Sequence, residues 1–398
     1  MTQTKRTANS TEAVHAGTSV RRAHHTLAPG IAQTATFTFN DTADLVRYMR
    51  GEDADPDREE YGRYGNPTVR ELEHRMAALE NAEDAVAFSS GMAAITTAIL
   101  SLTKGGDHIV LFSDCYRRTR QFVGATLGKF GVSHSQIPPG DIAALEQAIR
   151  PETRLVITES PTNPYLYCVD LDRVVAVTNK HRRVKVMIDS TFATPINCRP
   201  LDFGVDLVIH SATKYLAGHN DVLGGLIAGP SHLISLLRET RGVLGSVLDP
   251  HAAFLIARGL KTLKLRVQSQ NATALALAEH LQAHPKVERV FYPKLQSHPS
   301  HGVCESQMAG AGGVVSFIVR GGIDAASRVV DACRIAKIAP SLGGVETLIE
   351  QPRYMSYFEL DETQLAALGI DPALIRLSVG IEDQADLVQA LMDALDAA

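Results

Sequence analysis

The sequence predicts an α/β protein, with a large domain built on a mostly parallel sheet and a smaller C-terminal α+β domain. From Tyr61 to about Pro250, short apolar runs rich in β-branched residues alternate with helix-like segments. This alternation is typical of a parallel sheet that helices cover on both faces. After Pro250 the pattern changes to a long helical stretch followed by mixed strands and helices. The 398 residues, of which 45% are hydrophobic, suffice for two or three domains and a large core.

The elements of the large domain follow from this periodicity. The expected strands are Ala85–Phe88, His108–Phe112, Leu155–Thr158, Val184–Ile188 and Leu207–Ile209. The expected helices lie near Met92–Leu102, Tyr116–Phe130, Ile142–Ile149 and Leu171–Asn179. Ligands of such sheets bind at the carboxyl ends of the strands. Polar residues that directly follow a strand are therefore the first candidates for function.

The two ends of the chain differ from this middle part. Residues up to about Asp57 lack clean periodicity, and we expect an irregular arm that contacts a neighbouring subunit or covers a cleft. In the C-terminal part, the pattern predicts one helix over about Ala252–Leu281 and strands at Val314–Val319 and Ile375–Val379.

The chain closes with a predicted helix. Asp383 is placed to cap this helix, and three leucines form one apolar stripe along it, namely Leu387, Leu391 and Leu395. The predicted division is an arm at 1–60, a large domain at 61–255 and a C-terminal domain at 256–398.

Composition and charge argue against several classes of protein. The net charge of −5 gives no basic surface of the kind that binds nucleic acid. No apolar run reaches the roughly 18 residues that span a bilayer, and Met1–Arg6 lacks the apolar segment of a secretory signal. The five cysteines form no Cys-x-x-Cys pair, so we expect no disulfide framework, no zinc site and a reducing cytosol. His298 and His301 are spaced like metal ligands, but Pro299 separates them, and no metal is expected.

The first strand-end motif is Ser89-Ser90-Gly91-Met92-Ala93-Ala94, which follows the strand Ala85–Phe88 and opens a helix. Small residues allow a tight turn there, and the free N–H groups of a helix start favour a phosphate. A tight turn without a ligand explains the same residues. The chain has neither a Walker lysine nor a Gly-x-Gly-x-x-Gly motif, which disfavours nucleotide binding.

Two further strand ends carry charged residues. Asp189 ends the strand Val184–Ile188, where it either caps the next turn or pairs with a cationic ring nitrogen. Lys214 follows the strand Leu207–Ile209 in the motif Ser211-Ala212-Thr213-Lys214. A lysine at such an exit, beside two hydroxyls, suits a Schiff base next to a phosphate site. Together the two charged residues indicate pyridoxal phosphate chemistry.

With these motifs the sequence resembles the trans-sulfuration (Cys/Met metabolism) family of fold-type I pyridoxal-phosphate enzymes, from about His15 to Leu395. The resemblance implies an aspartate aminotransferase-like fold and pyridoxal 5'-phosphate as the cofactor. The segments that match are His210–Tyr215 with Gly218–Asp221, Tyr61–Thr68, Glu159–Pro164 and Asp189–Pro195.

The resemblance assigns roles around the cofactor. Lys214 matches the Schiff-base lysine, which also moves protons, and Asp189 matches the partner of the ring nitrogen. Tyr116 matches the tyrosine that stacks on the cofactor ring, and Asn163 matches a residue that contacts both the cofactor hydroxyl and the substrate. The residues that match the phosphate cradle are Ser90, Gly91, Met92, Ser211 and Thr213.

Tyr61 and Arg63 match residues that reach the same phosphate from a neighbouring subunit. This match implies a homotetramer, a dimer of dimers with shared active sites, in which Tyr61 also contacts the substrate. Arg376 matches the arginine that clamps the substrate α-carboxylate, for which a guanidinium offers two parallel hydrogen bonds. Ser341 matches a second contact to that carboxylate.

Two matches concern the γ-position of the substrate. Glu346 matches a glutamate typical of the γ-acting enzymes, although a surface glutamate is the simpler interpretation of the residue by itself. Arg118 stands where the plant enzymes carry a lysine that is suggested to meet the phosphate of O-phosphohomoserine. Arg118 keeps the positive charge of that lysine but is a different residue. Phosphate, succinate and acetate therefore remain alternatives for the leaving group.

The plant-like motifs Cys115–Arg120 and His219–Leu223 favour a γ-synthase. Such an enzyme replaces the activating group of an O-activated homoserine with cysteine, giving cystathionine for methionine biosynthesis. The alternatives are a γ-lyase acting on cystathionine, methionine or another γ-heteroatom amino acid, an O-acylhomoserine sulfhydrylase, and a non-catalytic protein that kept the fold. The chain lacks a plastid transit peptide, so we expect a cytoplasmic bacterial protein. Ser190 departs from the asparagine or glycine usual in the family.

Overall fold

The computed structural model describes residues 8–17, 25–53 and 58–398. Within these residues, the larger sheet has seven strands in the order β1-β7-β6-β5-β4-β2-β3. Strands β3, β2, β4, β5 and β6 run parallel to one another, whereas β7 is antiparallel to both β6 and β1. The strands are β1 (Asp84–Phe88), β2 (His108–Phe112), β3 (Ser133–Ile137), β4 (Thr153–Glu159), β5 (Lys185–Asp189), β6 (Leu207–Ser211) and β7 (Gly225–Gly229). The predicted α/β fold with a mostly parallel sheet is confirmed.

Helices cover this sheet, and capping residues mark where several of them begin after the strands. Ser90, Asp141 and Asp170 each accept a hydrogen bond from the backbone N–H three residues later, which satisfies a free donor of the first turn. The helices of this part are α1 (Ser10–His15), α2 (Thr42–Met49), α3 (Pro67–Glu80), α4 (Gly91–Leu102), α5 (Arg117–Gln121), α6 (Ile142–Ala148), α7 (Leu171–Thr178), α8 (Thr194–Asn197), α9 (Ser231–Leu244) and α10 (Pro250–Leu260).

The smaller domain is built on a second sheet, in the order β10-β11-β12-β9-β8. All of its strand pairs are antiparallel except the pair β10–β11, as expected for an α+β domain. The strands are β8 (Val287–Phe291), β9 (Val314–Val319), β10 (Lys337–Ile338), β11 (Leu348–Glu350) and β12 (Leu374–Ser378). The helices are α11 (Leu263–Ala283), α12 (His301–Gln307), α13 (Gly322–Ala332), α14 (Glu362–Ala367) and α15 (Gln384–Ala397).

The predicted single helix over Ala252–Leu281 is wrong, because α10 and α11 are separate helices. The carbonyl of Gly259 explains the break. It accepts hydrogen bonds from the side chains of Thr262 and Arg266, at 3.2 and 2.7 Å, and from the N–H of Thr262 at 3.2 Å. These donors replace the N–H that a continuous α-helix would offer.

Two other helix predictions need correction. The segment Tyr116–Phe130 is not one α-helix, since α5 is followed by a π-helical turn over Phe122–Thr126 and a 3₁₀ turn over Leu127–Phe130. Asp383 precedes α15, but its side chain makes no capping hydrogen bond. The stripe on α15 is confirmed, because Leu387, Leu391 and Leu395 are buried.

The arm is more regular than expected in its described part, where α1 and α2 form. Asn9 and Glu12 make a complete capping box at the start of α1, and the Glu12 carboxylate pairs with Arg199 at 2.7 Å. Helix α1 therefore packs on the large domain of its own chain. Asp57 lies outside the described residues. The boundaries 1–60, 61–255 and 256–398 stay a prediction.

Candidate active site

The carboxyl ends of β4, β5 and β6 lie side by side and place polar residues along one edge of the sheet. Strand β4 ends at Glu159, whose Cα pairs in register with that of Asp189 at the end of β5. Strand β6 ends at Ser211, three residues before Lys214. Since this edge is where α/β sheets bind ligands, it defines the candidate active site.

Lys214 lies in the turn after β6, where its backbone N–H donates to the Ser211 carbonyl at 3.1 Å. Its Nζ donates to Oγ of Ser341 at 2.6 Å. Burial and the charge of Arg376 lower the pKa of Lys214 to about 8, while Glu350 acts in the opposite direction. A sizeable neutral fraction of this amine therefore exists near neutral pH, as a nucleophile or a base requires.

Asp189 is held by its neighbour Thr191. The N–H and Oγ1 of Thr191 donate to Oδ1 of Asp189 at 3.0 and 2.5 Å, and Oγ1 of Thr191 accepts from the N–H of Ser211 at 2.8 Å. Burial raises the pKa of Asp189, an effect that the hydrogen bonds from Thr191 and the charge of His210 oppose. Among the described residues only Thr191 donates to this carboxylate, so Oδ2 is available to a cationic ligand.

The start of helix α4 meets the end of β6 at short range. Ser90 caps the helix by accepting from the N–H of Ala93 at 3.0 Å. A Cβ on Gly91 would lie 2.9 Å from Cβ of Ser211, so only glycine permits this approach. The N–H groups of Gly91 and Met92 belong to the first helical turn, which has no acceptor within the helix. They are placed to donate to an anion, and the predicted phosphate cradle stays a prediction.

Thr213 is predicted for the same cradle but is tied to a loop. Its Oγ1 accepts from the N–H of Gly224 at 3.0 Å. The same hydroxyl donates to the carbonyl of Gly224 at 3.4 Å, so this loop engages both its oxygen and its proton. The role of Thr213 in the predicted cradle stays a prediction.

Tyr116 stands at the mouth of the site with 45% of its surface exposed. Its backbone N–H donates to Oε2 of Glu159 at 2.8 Å, which fixes the start of α5. Burial, together with the carboxylates of Asp189 and Asp114, raises the pKa of Glu159 far above its usual range. The ring of Tyr116 is thus an accessible aromatic face anchored by a buried acid.

Arg376 on β12 brings the second domain to the site. Its Nη1 donates to Oδ1 of Asn163 at 3.0 Å, and its Nη2 donates to the carbonyl of Ser341 at 2.8 Å. Ser341 has φ of +90°, a strained value for a residue with a side chain. In this conformation its carbonyl accepts a hydrogen bond from Arg376 and its hydroxyl accepts one from Lys214. The structure joins these four predicted residues in one hydrogen-bonded set.

The two residues predicted for the γ-position are both exposed. The carboxylate of Glu346 accepts a hydrogen bond from Nδ2 of Asn220 at 2.7 Å. Asn220 lies six residues after Lys214 in the chain. Arg118 donates from Nη1 to Oε1 of Gln121 on its own helix, at 2.7 Å. No described contact joins either of them to Lys214. Their roles toward the substrate stay predictions.

Tyr61 and Arg63 lie apart from this set within one chain. Arg63 donates from Nη1 to the carbonyl of Gly242 at 2.6 Å, and its guanidinium lies 4.8 Å from the ring centre of Tyr64. Tyr61 is 42% exposed. None of the described contacts connects either residue to Lys214.

Known proteins resemble this chain over nearly its whole length. The sequence pattern of the family described as Cys/Met metabolism PLP-dependent enzyme matches residues 10–396. Cystathionine gamma-synthase 1, chloroplastic, of Nicotiana tabacum is 47% identical over 96% of this chain and 71% of its own. L-methionine gamma-lyase of Porphyromonas gingivalis is 38% identical over 97% of this chain and 96% of its own.

A solved structure agrees with these relatives. The crystal structure of metB from Corynebacterium glutamicum superposes with a TM-score of 0.90 at 36% identity, covering 97% of both chains. The chain belongs to the Cys/Met metabolism family of PLP-dependent enzymes. The predicted family and the fold-type I architecture are therefore confirmed.

Pyridoxal 5'-phosphate is the cofactor of this family, and the geometry fits it. The start of α4, with Ser211 beside it, offers N–H and hydroxyl donors to a phosphate. Asp189 offers the free Oδ2 to a protonated ring nitrogen, and Tyr116 offers an exposed aromatic face. Lys214 offers a partly neutral amine to the aldehyde. Each feature matches a different part of the same small molecule.

Sequence reasoning missed three residues that shape this site. Thr191 links Asp189 to Ser211, and its position two residues after an aspartate is a turn signal that could have found it. Glu159 holds Tyr116, and Glu350 lies beside Arg376. The position of Glu159 directly after an expected strand could have found it, whereas Glu350 gave no local signal, since only the tertiary fold shows that it is buried.

Other features of the chain lie outside this site. His298 lies near the carbonyl of Tyr165, with its Nε2 2.9 Å away, and the described residues contain no cluster of three or more side chains suited to a metal. Among the described helices, none combines the length and the apolar character that a membrane span needs.

Proposed function

We propose that this enzyme is a γ-synthase that joins an O-activated homoserine to cysteine and so produces cystathionine. The bond from Cγ to the activating group breaks, a bond from Cγ to the cysteine sulfur forms, and the thiol proton is released. The observation that carries the proposal is the link through Ser341, which places the amine of Lys214 beside the guanidinium of Arg376. The relatives at 47 and 46% identity, both cystathionine γ-synthases by name, support the same reaction.

The residues divide the work as follows. Arg376 and Asn163 bind the α-carboxylate, which holds the α-carbon near Lys214. Pyridoxal phosphate, when bound, supplies an electron sink for the negative charge that develops on the substrate. Asp189 favours a protonated ring nitrogen, and Lys214 takes the proton from the α-carbon and returns it. Ser341 keeps the lysine amine in place by the hydrogen bond at 2.6 Å.

For the γ-position, we propose that Arg118 attracts the anionic activating group and that Glu346 contacts the substrate. Both side chains are exposed, so they can turn toward a ligand at the mouth of the site. The charge of Arg118 favours the phosphoryl and succinyl groups, which are anionic while attached, over the neutral acetyl ester, but does not by itself distinguish the two anionic groups.

A γ-lyase is the second candidate, because L-methionine gamma-lyases match the chain at 37 to 39% identity. A substrate panel separates the two. The proposal predicts cystathionine from O-phospho-, O-succinyl- or O-acetylhomoserine only when cysteine is present, with Lys214→Ala inactive. Release of 2-oxobutyrate from cystathionine or methionine alone, at a rate above that of the synthesis reaction, would establish the lyase instead.

We further propose a homotetramer in which Tyr61 and Arg63 complete the phosphate site of a neighbouring subunit. Two observations support this: no described contact joins either residue to Lys214 in their own chain, and Val243 and Leu244 beside Gly242 are exposed, at 84 and 50%. Light scattering measures the oligomeric state. For the location we propose the cytoplasm, supported by five free cysteines, and cell fractionation tests it.

A further inference from the structure

Glu350 is a buried carboxylate beside the carboxylate-binding arginine. It is the last residue of β11, and its Cα pairs in register with that of Arg376 on β12. Its Oε1 lies 2.9 Å from Nη2 of Arg376, and the side chains of Glu350 and Arg376 are only 3 and 6% exposed. The antiparallel register of the two strands thus presents an acid to the guanidinium that has to bind an acid.

The contact between these groups is electrostatic. Oε1 of Glu350 accepts no hydrogen bond from any described residue, and Nε of Arg376 donates none. The N–H groups of Arg376 are directed instead to Asn163 and to Ser341. Because both groups are buried, the attraction between them is weakly screened. It holds the guanidinium against β11 without occupying Nε.

The charge of Glu350 also affects any carboxylate that binds at Arg376. A negative group this close to the guanidinium repels a second one and lowers the net positive charge of the site. Two of the proposed substrates, O-phospho- and O-succinylhomoserine, carry a second anionic group at the γ-position. A strongly cationic pocket would bind either anionic group, whereas a nearly neutral one disfavours the phosphate most, because it is the more highly charged group.

We propose that Glu350 is a positioning residue of the substrate-carboxylate site. The length of its side chain holds the Arg376 guanidinium in place, and its negative charge limits how tightly an anion binds there. The inference rests on the proposed function, in which Arg376 binds the α-carboxylate. The two parts of the proposal make opposite predictions for two conservative variants. A merely structural role would not separate the variants in this way.

The test compares Glu350→Asp with Glu350→Gln in the holoenzyme. Aspartate keeps the charge but withdraws the carboxylate by about 1.5 Å, one carbon–carbon bond. We expect its KM for the amino-acid substrate to rise about tenfold, with kcat changed far less. Glutamine keeps the length and loses the charge. We expect it to bind propionate, a simple monocarboxylate inhibitor, at least about threefold more tightly than the native enzyme.

Glu146→Gln is the matched control, because Glu146 forms an ion pair with Lys180 at 2.6 Å on the surface. It should leave KM and propionate inhibition unchanged. The proposal is overturned if binding weakens in both Glu350 variants or tightens in both, as measured by KM and by propionate inhibition. It is also overturned if neither quantity changes in either variant. Should Glu350→Gln fail to fold, an unchanged KM in Glu350→Asp alone overturns it.

A third variant separates this inference from the proposed function. Arg376→Lys should weaken both substrate and propionate binding. If it does not, the carboxylate role of Arg376 fails, and the Glu350 inference fails with it. If Arg376→Lys weakens binding while both Glu350 variants behave like the native enzyme, only the Glu350 inference fails.

Discussion

Nζ of Lys214 donates a hydrogen bond of 2.6 Å to Oγ of Ser341, across the boundary between the two sheets of the chain. Lys214 follows the last parallel strand of the large sheet, and Ser341 lies between β10 and β11 of the smaller one. The carbonyl of the same serine accepts from Arg376. The lysine amine is therefore positioned by the element that also orients Arg376, the residue proposed to bind the substrate carboxylate.

The pH dependence of cofactor capture should report the environment of Lys214. Its pKa is lowered from 10.5 to about 8, by burial first and by Arg376 second. Since the neutral amine is the reactive form, the rate at which the cofactor-free protein captures pyridoxal phosphate should rise with pH and reach its midpoint near 8. Arg376→Gln removes a repelling cation and should move the midpoint upward. A midpoint near 10.5 in the native protein would contradict the geometry.

Replacement of Ser341 should separate backbone strain from hydrogen bonding. Ser341→Gly and Ser341→Ala both remove the hydroxyl that Lys214 contacts, but only glycine is relaxed at φ of +90°. We expect the glycine variant to be more stable by about 1 kcal/mol in urea denaturation. The control is Ser327 within helix α13. There the alanine variant should be more stable than the glycine variant by about 1 kcal/mol. The same order at both positions would argue against strain at Ser341.

Asp189→Asn should weaken both cofactor retention and catalysis. The amide keeps an acceptor for Thr191 but cannot favour a protonated ring nitrogen. Loss of one charge-assisted hydrogen bond predicts a fall in kcat of at least about tenfold, measured at saturating cofactor. The kcat of Thr191→Val, which retains the Asp189 charge, should fall less. Equal losses in the two variants would mean that the network, not the charge, matters.

Complementation between inactive variants should reveal shared active sites. Arg63 contacts Gly242 in its own chain and is proposed to serve a neighbouring subunit. Arg63→Ala and Lys214→Ala homo-oligomers should each be nearly inactive. Hybrids formed by unfolding and refolding a mixture should recover activity, because some sites then contain both native residues. Persistent inactivity, in hybrids verified by mass spectrometry, would exclude a shared site.

Arg118→Ala should discriminate among substrates by their charge. If Arg118 attracts the γ-activating group, kcat/KM for an anionic activated homoserine should fall about tenfold or more, while substrates with a neutral γ-group change little. Arg117→Ala is the matched control, since Arg117 faces Glu359 at 3.5 Å. Equal effects of Arg118→Ala on both substrate types would show that it is a solvated helix residue, as its bond to Gln121 in the free protein allows.

The parts of the fold that were predicted well are those with uninterrupted apolar runs. Strand β2 was placed at its observed bounds, because all five of its residues are apolar or buried, between β4 and β3. Strands β3 and β7 were missed. Strand β3 is a polar edge strand, Ser133–Ile137, and β7 contains three small residues in Gly225–Gly229, so neither shows a periodic apolar signal.

The sequence by itself determined five strands of the large sheet, the strand-end positions of Asp189 and Lys214 and, through its motifs, the family. These features depend on local periodicity and on turns that neighbouring residues specify. Only the tertiary structure decided that Ser341 and Arg376 meet Lys214, that Glu159 supports Tyr116, and that Glu350 faces Arg376. Such contacts join residues of different strands and domains. Their burial and charge depend on the packing of the whole chain, which no local pattern encodes.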